Sequence, residues 1–521
     1  MTVPMRINPN KRKHKVNNYI NLTPAEQRVA YPDFVTALRL DTFRHLTNLS
    51  LHFRSPLTVI TGSNRTGKSS ILLCLGCSHY NFMTRNCISG KYERTRWGDV
   101  MKFTACDKQN QDWEYHITYR ERGVKERELP GRRKHTTRKW SGCAKKEGQI
   151  GHPGPHIVDS PNGRHVYLID LERIIPGRHH PPTIYSRVKG AAPRKLNRLV
   201  ITYLSYIFEN RYTASELGGI GERQVYSYTA GTNYSSFNSA SGEDVLTRML
   251  IDVVEAKDNS LILIEEIEIG LHPEIQRRLI DVLFCECTRA KKQFIITTHS
   301  QTIISSVEPS SRILLRRKSD DSIEVKANIS VNGALSAMDS LANPLLSIYV
   351  EDDISRALVQ EGLSIVMQTR PELRKIIKII PVGSADKTYN YFKTRQATYA
   401  SDRLGRGCAC ILDGDMRNLV QNGALAYPPE DNLYFHYGNE APERMLLREF
   451  LKQHPNNRLQ YHVDDGNAHN LMQKIVDEGL AVTPDNAMRM CINDLKTSPD
   501  GDLYFREMSD FIIRVCDSYI S

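Results

Sequence analysis

The chain has 521 residues and a formal net charge of +11, with 40% hydrophobic and 25% charged residues. A chain of this length needs two or three hydrophobic cores, and the composition excludes a fibrous or wholly disordered protein. No apolar run is long enough to cross a bilayer and the N-terminus lacks a signal-peptide core, so we expect a cytoplasmic protein without membrane contacts. The eleven cysteines form no secreted disulfide pattern, which indicates reduced thiols.

Residues 1–32 begin with the polar, basic stretch MTVPMRINPNKRKHKVNN, which predicts a mobile N-terminal arm. A second basic segment runs from Arg85 to Lys146, with seventeen Lys or Arg residues against eight Asp or Glu. It also contains Trp97, Trp113 and Trp140. This segment is either a solvated insertion or a surface that contacts nucleic-acid phosphates, and the bias towards one sign favours the second interpretation.

An apolar strand, LTVIT, leads into Gly62-x-x-x-x-Gly67-Lys68-Ser69 and an apolar helix. This strand–loop–helix context is the one that the phosphate-binding loop requires. Lys68 is expected to neutralise the β- and γ-phosphates of ATP, and Ser69 to ligate Mg²⁺. The residues predicted to surround the nucleotide are those of the loop and the first helical turn: Gly62, Ser63, Asn64, Arg65, Thr66, Gly67, Lys68, Ser69 and Ser70.

Downstream, the buried strand in NSLILIEEIEIGLHP ends in Glu265 and Glu266. Glu265 occupies the place where an Asp usually holds Mg²⁺, and Glu266 is the candidate base for the attacking water. The next apolar strand, KQFIITT, ends at His299, which is predicted to sense the γ-phosphate. Strand capping and a core histidine are the structural alternatives.

Ser241, Gly242 and Glu243 open a predicted helix, and a serine and a glycine at a helix N-terminus form an anion site. Together with FRHLTNLSLHF, these motifs resemble the ATP-binding-cassette (ABC) superfamily, especially its soluble SMC- and RecF-like branch, over about residues 30–316. The resemblance implies an ATPase domain over residues 33–316 with a basic insertion at about 85–160. It also implies a head-to-head homodimer in which the signature of one subunit completes the ATP site of the other.

A polar segment, 317–344, predicts a hinge, after which short strands and helices alternate. This pattern predicts a smaller parallel α/β domain over residues 345–521, with a helical C-terminal part. Its strands end in acids: Glu351 and Asp353 follow one, and Asp413 and Asp415 follow another. Because ligands gather at the carboxyl ends of parallel strands, these four carboxylates predict a Mg²⁺ or Mn²⁺ site. Any one acid alone would be interpreted as a helix cap.

The pattern V-E…G-S…D-G-D resembles the Toprim domain. In that domain the glutamate acts as an acid/base or binds metal, and the D-x-D pair binds metal. Joined to an ABC-type ATPase, it is similar to the OLD family of ATP-dependent nucleases, some of which act in anti-phage defence. Ser355 stands where the family often has an acid. YGNEAPERMLL offers Glu440 and Glu443 to complete the metal site, of which we favour Glu443, and Lys496 is a further catalytic candidate.

These observations predict an ATP-regulated, metal-dependent endonuclease or nickase acting on DNA, with double-stranded DNA expected. Its catalytic residues would be Glu266, His299, Glu351, Asp413, Asp415 and Lys496. Two alternatives remain: a DNA-binding sensor or clamp ATPase whose second domain is catalytically silent, and a subunit that acts only with a partner protein or nucleic acid in a defence complex.

Overall fold

The computed structural model describes residues 8–86, 89–104, 111–121, 126–152, 163–175, 177–221, 223–318, 320–338, 344–370, 373, 376–401, 406–465 and 468–520. The chain divides into two compact units, Met1–Ile329 and Ser330–Ser521. Within the described ranges no helix is both long and apolar enough to span a membrane. Each cysteine in those ranges is a buried free thiol.

The first unit is built mainly on two sheets. Its strands are β1 (Phe34–Phe43), β2 (Leu46–His52), β3 (Leu57–Gly62), β4 (Asn81–Arg85), β5 (Tyr92–Arg94), β6 (Trp113–Arg120), β7 (Arg127–Arg133), β8 (Trp140–Gly142), β9 (His165–Ile169), β10 (Arg194–Lys195), β11 (Thr213–Ile220), β12 (Arg223–Ala230), β13 (Thr232–Ser235), β14 (Leu261–Ile264), β15 (Gln293–Thr297), β16 (Arg312–Arg317) and β17 (Ile323–Ala327).

The larger sheet has the order β17-β16-β3-β15-β14-β9-β4-β5. Its central strands are parallel, and only the edge strands β17 and β5 run antiparallel to their neighbours. Strands β3, β14 and β15 are buried along their whole length, as the apolar runs predict for a sheet covered on both faces. A five-stranded antiparallel sheet has the order β2-β1-β6-β7-β8, and β10 to β13 form a third sheet.

The helices of the first unit connect and cover these sheets. They are α1 (Pro9–Asn17), α2 (Pro24–Ala30), α3 (Lys68–Cys77), α4 (Trp97–Val100), α5 (Pro182–Val188), α6 (Arg198–Ile207), α7 (Ser241–Glu255), α8 (Pro273–Arg289) and α9 (Gln301–Ser306). Short 3-10 helices lie at Asn18–Asn21, Lys146–Gly148, Leu171–Ile174, Gly177–His179 and Pro309–Ser311.

The described part of the N-terminal arm is folded, which corrects the prediction of a mobile segment. Helix α1 packs on α8: the Arg12 guanidinium donates to the Thr288 hydroxyl at 3.2 Å, and the Lys13 ammonium lies 5.8 Å from the centre of the Phe284 ring. Tyr19 is 3% exposed and makes an edge-to-face contact with Tyr31, with ring centres 5.3 Å apart. The aromatic residues among the basic ones anchor the arm, and the basic run alone did not predict this.

The basic segment is also different from the predicted insertion, since β6, β7 and β8 complete the five-stranded sheet. Trp97 stacks on Trp140 with ring centres 5.2 Å apart, and Trp113 contacts Phe43 at 5.1 Å. The Arg133 guanidinium lies 5.1 Å from the centre of the Trp113 ring and is buried. The tryptophans are therefore core residues and not a stacking surface for bases. The predicted range also includes 87–88, 105–110, 122–125 and 153–160, which lie outside the described residues.

Two exposed cations of this segment are already paired. Arg132 contacts Glu114 at 2.7 Å, and Lys134 contacts Asp112 at 2.8 Å.

The predicted hinge, residues 317–344, contains regular structure, because β17 joins the large sheet and α10 (Val331–Met338) begins the second unit. The chain passes from one unit to the other between Ile329 and Ser330.

The second unit holds a four-stranded parallel sheet whose strands, in spatial order, are β19 (Ile377–Pro381), β18 (Leu346–Val350), β20 (Gly407–Leu412) and β23 (Leu433–Phe435). The other elements after α10 are α11 (Asp353–Thr369), α12 (Ala385–Ser401), β21 (Val420–Gln421), β22 (Ala424–Leu425), α13 (Pro442–Gln453), α14 (Asn457–Asp465), α15 (Leu471–Asp477), α16 (Pro484–Thr497) and α17 (Pro499–Ile520), with 3-10 turns at Gly414–Met416 and Ala468–Asn470. The apolar faces of α11, α13, α16 and α17 share one core with the sheet.

His79 makes the stability of the first unit depend on pH. It is 1% exposed, its Nδ1 lies 2.8 Å from the Leu75 carbonyl oxygen, and burial together with nearby Arg164 lowers its pKa to about 3. An unfolded histidine has a pKa of about 6.5, so the unfolded chain binds more protons between these values. The free energy of unfolding therefore falls as the pH drops through this window, by about 2 kcal/mol at pH 5.

Urea unfolding at about pH 5 and about pH 7.5 measures this effect. His79→Gln keeps a donor for the Leu75 carbonyl and removes the titration, so its loss of stability on acidification should be smaller than that of the wild type. An equal loss in both proteins would show that His79 titrates normally in the folded state.

Candidate functional site

The phosphate-binding loop lies between β3 and α3, as predicted. Gly62 has φ of 145°, and a Cβ there would lie 2.2 Å from the Leu315 carbonyl oxygen. Gly67 precedes α3 with φ of 91°. Only glycine adopts these conformations without strain, and at Gly62 any side chain would collide with the neighbouring strand. The two glycines thus allow the loop to turn tightly at the helix N-terminus.

Lys68 is held inside this loop. Its ammonium donates to the carbonyl oxygens of Gly62 at 2.9 Å and Ser63 at 3.1 Å. Burial lowers the pKa of Lys68, while the carboxylates of Glu266 and its neighbours act in the opposite direction. Among the described residues, the hydrogen-bond acceptors of the Lys68 ammonium are carbonyl oxygens. No hydrogen bond to a described carboxylate has to break, so the charge of Lys68 is available for phosphate oxygens.

Ser69 and Glu265 meet, which supports their predicted association with one metal ion. The Ser69 hydroxyl donates to Glu265 Oε1. The contact follows from the sheet, because β15 alone separates β3 from β14 and all three strands are parallel. A hydroxyl and a carboxylate at this edge are the oxygen ligands that Mg²⁺ prefers.

Glu266 and His299 also come together. His299 Nε2 lies 3.3 Å from Glu266 Oε1, and this interaction lowers the pKa of Glu266 although burial acts to raise it. Glu266 has φ of 45°, and its backbone N–H donates to the Thr297 hydroxyl at 2.9 Å. A left-handed glutamate is strained, and such strain is typical of functional positions. The pair places the Glu266 carboxylate beside an imidazole.

Two residues that support this pair were not predicted. Glu268 accepts hydrogen bonds from the Thr298 hydroxyl at 2.7 Å and the His299 backbone N–H at 2.6 Å. Arg173 donates to the main-chain carbonyls of Glu265 at 2.8 Å and Glu266 at 2.7 Å. The spacing E-x-E could have indicated Glu268. Nothing in the sequence marks Arg173, since these two partners are main-chain atoms distant in the chain.

The predicted signature opens α7. Ser241 is the first residue of that helix, and Gly242 approaches Gly270 so closely that a Cβ would lie 2.7 Å from its carbonyl oxygen. Glu243 accepts hydrogen bonds from the hydroxyls of Tyr212 at 2.9 Å and Tyr234 at 2.7 Å. Within this chain, Glu243 therefore fixes the start of the helix, and Ser241 and Gly242 offer the helix N-terminus.

In the second unit, Glu351 and Asp413 follow the adjacent parallel strands β18 and β20. The Asp413 backbone N–H donates to Glu351 Oε1 at 2.8 Å, and Asp413 is 6% exposed. Burial raises the pKa of Glu351 to about 7, helped by Asp415, Asp352 and Glu443. Burial and the charge of Glu351 raise the pKa of Asp413 to about 8. The carboxylates thus repel one another in an environment that disfavours negative charge.

The structure changes the membership of this acid cluster. Asp353 is 72% exposed and pairs with Arg356 at 3.1 Å, whereas Asp352 caps α11 by accepting the Ser355 backbone N–H at 2.8 Å. Asp352 is the acid whose charge raises the pKa of its neighbours. Ser355 is completely buried and donates to Asp413 Oδ1 at 3.0 Å. Ser355 therefore supports a ligand where the resembled family often has an acid.

Glu443 is 2% exposed at the start of α13 and belongs to the acid cluster. Glu440, the alternative, instead pairs with Arg448 at 2.5 Å. Lys496 lies on the surface of α16 and contacts Glu361 at 2.7 Å. Its partner is therefore a glutamate outside the acid cluster.

Oxygen donors from buried carboxylates suit a hard cation such as Mg²⁺. Among the described residues, however, the three-residue group whose ligand atoms all lie within 4.8 Å is Asp41, Glu114 and His116 on the five-stranded sheet. Arg39 and Arg132 contact the two acids of that group, so it forms an ion-pair network. The acids of the second unit would have to move closer to enclose an ion.

Two family models match the first unit. One, described as "AAA domain, putative AbiEii toxin, Type IV TA system", matches residues 155–305, and another, described as "AAA domain", matches residues 37–147. A comparison with curated proteins finds no matching sequence.

Solved structures with similarity to the chain include an SMC head domain from Thermotoga maritima, with 14% identity, 56% of this chain and 98% of that chain covered, and a TM-score of 0.35. A structure of the recombination mediator protein RecF with "ATPrS" in the RecFOR pathway has 12% identity, covers 57% of this chain and 98% of that chain, and has a TM-score of 0.32. The functional assignment rests on the family models and the loop geometry: the first unit is similar to AAA-type ATPase domains and contains a phosphate-binding loop.

Proposed function

We propose that the protein is an ATP-regulated, metal-dependent DNA endonuclease or nickase of the OLD type, with a Toprim-like second unit. The observation that carries this proposal is the contact between Glu351 and Asp413 at the ends of two parallel strands. Buried acids with raised pKa values are costly for folding, and a bound cation offsets that cost. A purely structural role does not account for placing Asp415 and Glu443 beside them.

The metal site would use Glu351, Asp413, Asp415 and Glu443, with Asp352 replacing the predicted Asp353. When bound, Mg²⁺ or Mn²⁺ supplies Lewis-acid activation of water and stabilises the leaving oxygen. The protein contributes a buried, acid-rich environment, and Ser355 holds Asp413 in place through its hydroxyl. Raised pKa values also suit acid/base exchange near neutral pH.

The ATPase would act as the regulator. Lys68 would neutralise the phosphates, Ser69 and Glu265 would hold Mg²⁺, and Glu266 would accept a proton from the attacking water while His299 orients the Glu266 carboxylate. Ser241 and Gly242 would complete the ATP site of a second copy of this chain, so ATP would favour a head-to-head homodimer.

DNA as the substrate and a defence role are proposals with narrower support. The net charge of +11 favours a polyanionic partner. A defence role agrees with the description of the matching family, which names a putative toxin of a Type IV toxin–antitoxin system. A partner protein or nucleic acid that triggers cleavage fits the same role.

The test incubates supercoiled plasmid with the full chain and Mg²⁺ or Mn²⁺, with and without ATP, and follows the conversion to nicked and linear DNA on a gel. We expect nicking that requires the metal, stops on chelation and changes with ATP. Absence of nicking with either metal, across plasmid, linear and single-stranded DNA, would contradict the nuclease proposal and leave the ATPase assignment intact.

A second candidate is a DNA-binding sensor ATPase with a silent second unit. The separation of the acid oxygens and the serine at position 355 favour it. It predicts ATP-dependent retention of DNA on a filter without cleavage. Isothermal titration with Mg²⁺ distinguishes the two candidates, because a silent unit would show no metal binding that depends on Asp413.

A further inference from the structure

A cavity that is partly open to solvent lies within the first unit. Its walls come from β4, β5, the end of β9 and the segment that follows it, β12 and helix α7. No residue of the phosphate-binding loop lines it. The cavity is therefore distinct from the ATP site.

Three guanidinium groups face this cavity, from Arg85, Arg173 and Arg248. Arg85 forms an ion pair with Asp252, which also lines the cavity. Arg248 is 7% exposed, and its Nη2 lies 3.3 Å from both His180 Nε2 and the Gln224 carbonyl oxygen. Among the described contacts the charge of Arg248 has no carboxylate hydrogen bond. Asp170 lines the cavity as well, so three arginines face two aspartates and the lining carries a formal net charge of +1.

Arg173 and Arg248 each leave a donor unsatisfied. Within the described residues, the Nε atoms of both side chains are buried and have no hydrogen-bond partner. Arg173 is 6% exposed and uses its Nη2 for the carbonyls of Glu265 and Glu266. An unpaired buried donor on a charged group costs more than a neutral one, and two around one cavity indicate a missing acceptor.

We propose that this cavity binds a small oxyanion, the class that includes inorganic phosphate and the phosphate of a nucleotide, and that Arg173 conveys its binding to the ATPase. Guanidinium groups are the preferred protein partners of such oxygens because their N–H groups match them in geometry and charge. Arg173 contacts both the cavity and the backbone of the catalytic Glu266. An anion that orders Arg173 therefore also orders Glu266.

Binding is tested by calorimetric titration of inorganic phosphate, and separately of AMP, into the full chain carrying Lys68→Ala, which disables the phosphate-binding loop. We expect one site to remain in this background. Adding Arg248→Gln should weaken it by about tenfold or more, since a charge-assisted hydrogen bond is lost. Arg194→Gln, at an exposed arginine that pairs with Glu216, should leave it unchanged. Loss of all binding with Lys68→Ala alone, or equal binding after Arg248→Gln, would overturn the proposal.

Gln224→Glu provides a second test that truncates no buried arginine. Gln224 lines the cavity, where its main-chain carbonyl accepts from Arg248 and its side-chain amide donates to the Gly221 carbonyl at 2.7 Å, so a glutamate there adds negative charge to the lining. We expect no rise in the melting temperature of this variant when phosphate is added, whereas the wild type should be stabilised by phosphate. A variant that still responds to phosphate as the wild type does would contradict an anion site at this position.

The link to the ATPase is measured separately from DNA cleavage. Gln224→Glu should change kcat for ATP hydrolysis while KM stays at the wild-type value, because Arg173 positions Glu266 and not the nucleotide. An unchanged kcat in a variant that no longer binds phosphate would overturn the link. Because neither assay involves DNA, failure of the nuclease proposal would not affect these results.

Discussion

Asp413→Asn is expected to reduce metal-dependent DNA cleavage by at least about 100-fold while ATP hydrolysis remains at the wild-type rate. The asparagine keeps the size of the side chain and can still accept the Ser355 hydroxyl, but it loses the charge that would bind the cation. Asp413 belongs to the second unit, whereas every residue assigned to the ATP site belongs to the first. Plasmid nicking and phosphate release, measured on the same preparation, give the two rates.

The stability of this variant provides an independent readout. Burial and the charge of Glu351 raise the pKa of Asp413, so its ionised form opposes folding near neutral pH. Without metal, Asp413→Asn should therefore melt at the same temperature as the wild type or higher, and Mg²⁺ should stabilise only the wild type. A structural cap predicts the reverse: a loss of about 1 kcal/mol with cleavage retained.

Asp353→Asn is the matched control. It changes the same chemical group two residues after Glu351, at a position that is 72% exposed and paired with Arg356. Cleavage and stability should stay close to wild type. If Asp353→Asn abolished cleavage as completely as Asp413→Asn, the assignment of the cluster to Asp352 and Glu443 would be wrong.

The ATP site could be predicted from the sequence because its chemistry depends on local backbone conformation. Gly62 and Gly67 mark positive φ angles, and the lysine and serine that follow belong to one helical turn. Ser69 and Glu265 are far apart in the sequence, and they meet because β15 alone separates the parallel strands β3 and β14. The carboxyl ends of parallel strands lie at the same edge of a sheet, so the residues that follow these strands come close together.

The acids after β18 were harder to predict because two adjacent aspartates compete for one direction. Asp352 accepts a backbone N–H as the N-cap, which places Asp353 on the outer face of the first helical turn. The spacing Asp352-x-x-Ser355 is compatible with this capping, although Asp353 was the residue that we predicted as a metal ligand. The helix cap determined which of the two aspartates lies near the other acids.

The predictions for the two basic segments differ from the structure for a related reason. Arg133 carries a charge, yet it is buried against Trp113 and Trp140, and Arg120 is buried beside Tyr19 and donates to its hydroxyl at 2.8 Å. Composition counts these side chains as surface charge, whereas guanidinium planes also pack on aromatic rings. The surplus of positive charge in a sequence segment therefore does not locate a nucleic-acid-binding surface on this chain.

Glu266→Gln is expected to reduce ATP hydrolysis by about 100-fold to 10,000-fold while ATP still binds, since only the proton acceptor is removed. Lys68 keeps its contacts with the loop, so the phosphate cradle remains. In the proposed head-to-head assembly, unhydrolysed ATP would hold two copies together, and size-exclusion chromatography should show a dimer only when ATP and Mg²⁺ are present.

Glu274→Gln, at an exposed glutamate that pairs with Arg278, is the control and should hydrolyse ATP normally. A Glu266→Gln protein that binds ATP and elutes at the same volume with and without it would contradict the dimer. A variant that hydrolyses ATP at the wild-type rate would instead remove Glu266 from the catalytic role, and the strain at its backbone would need another explanation.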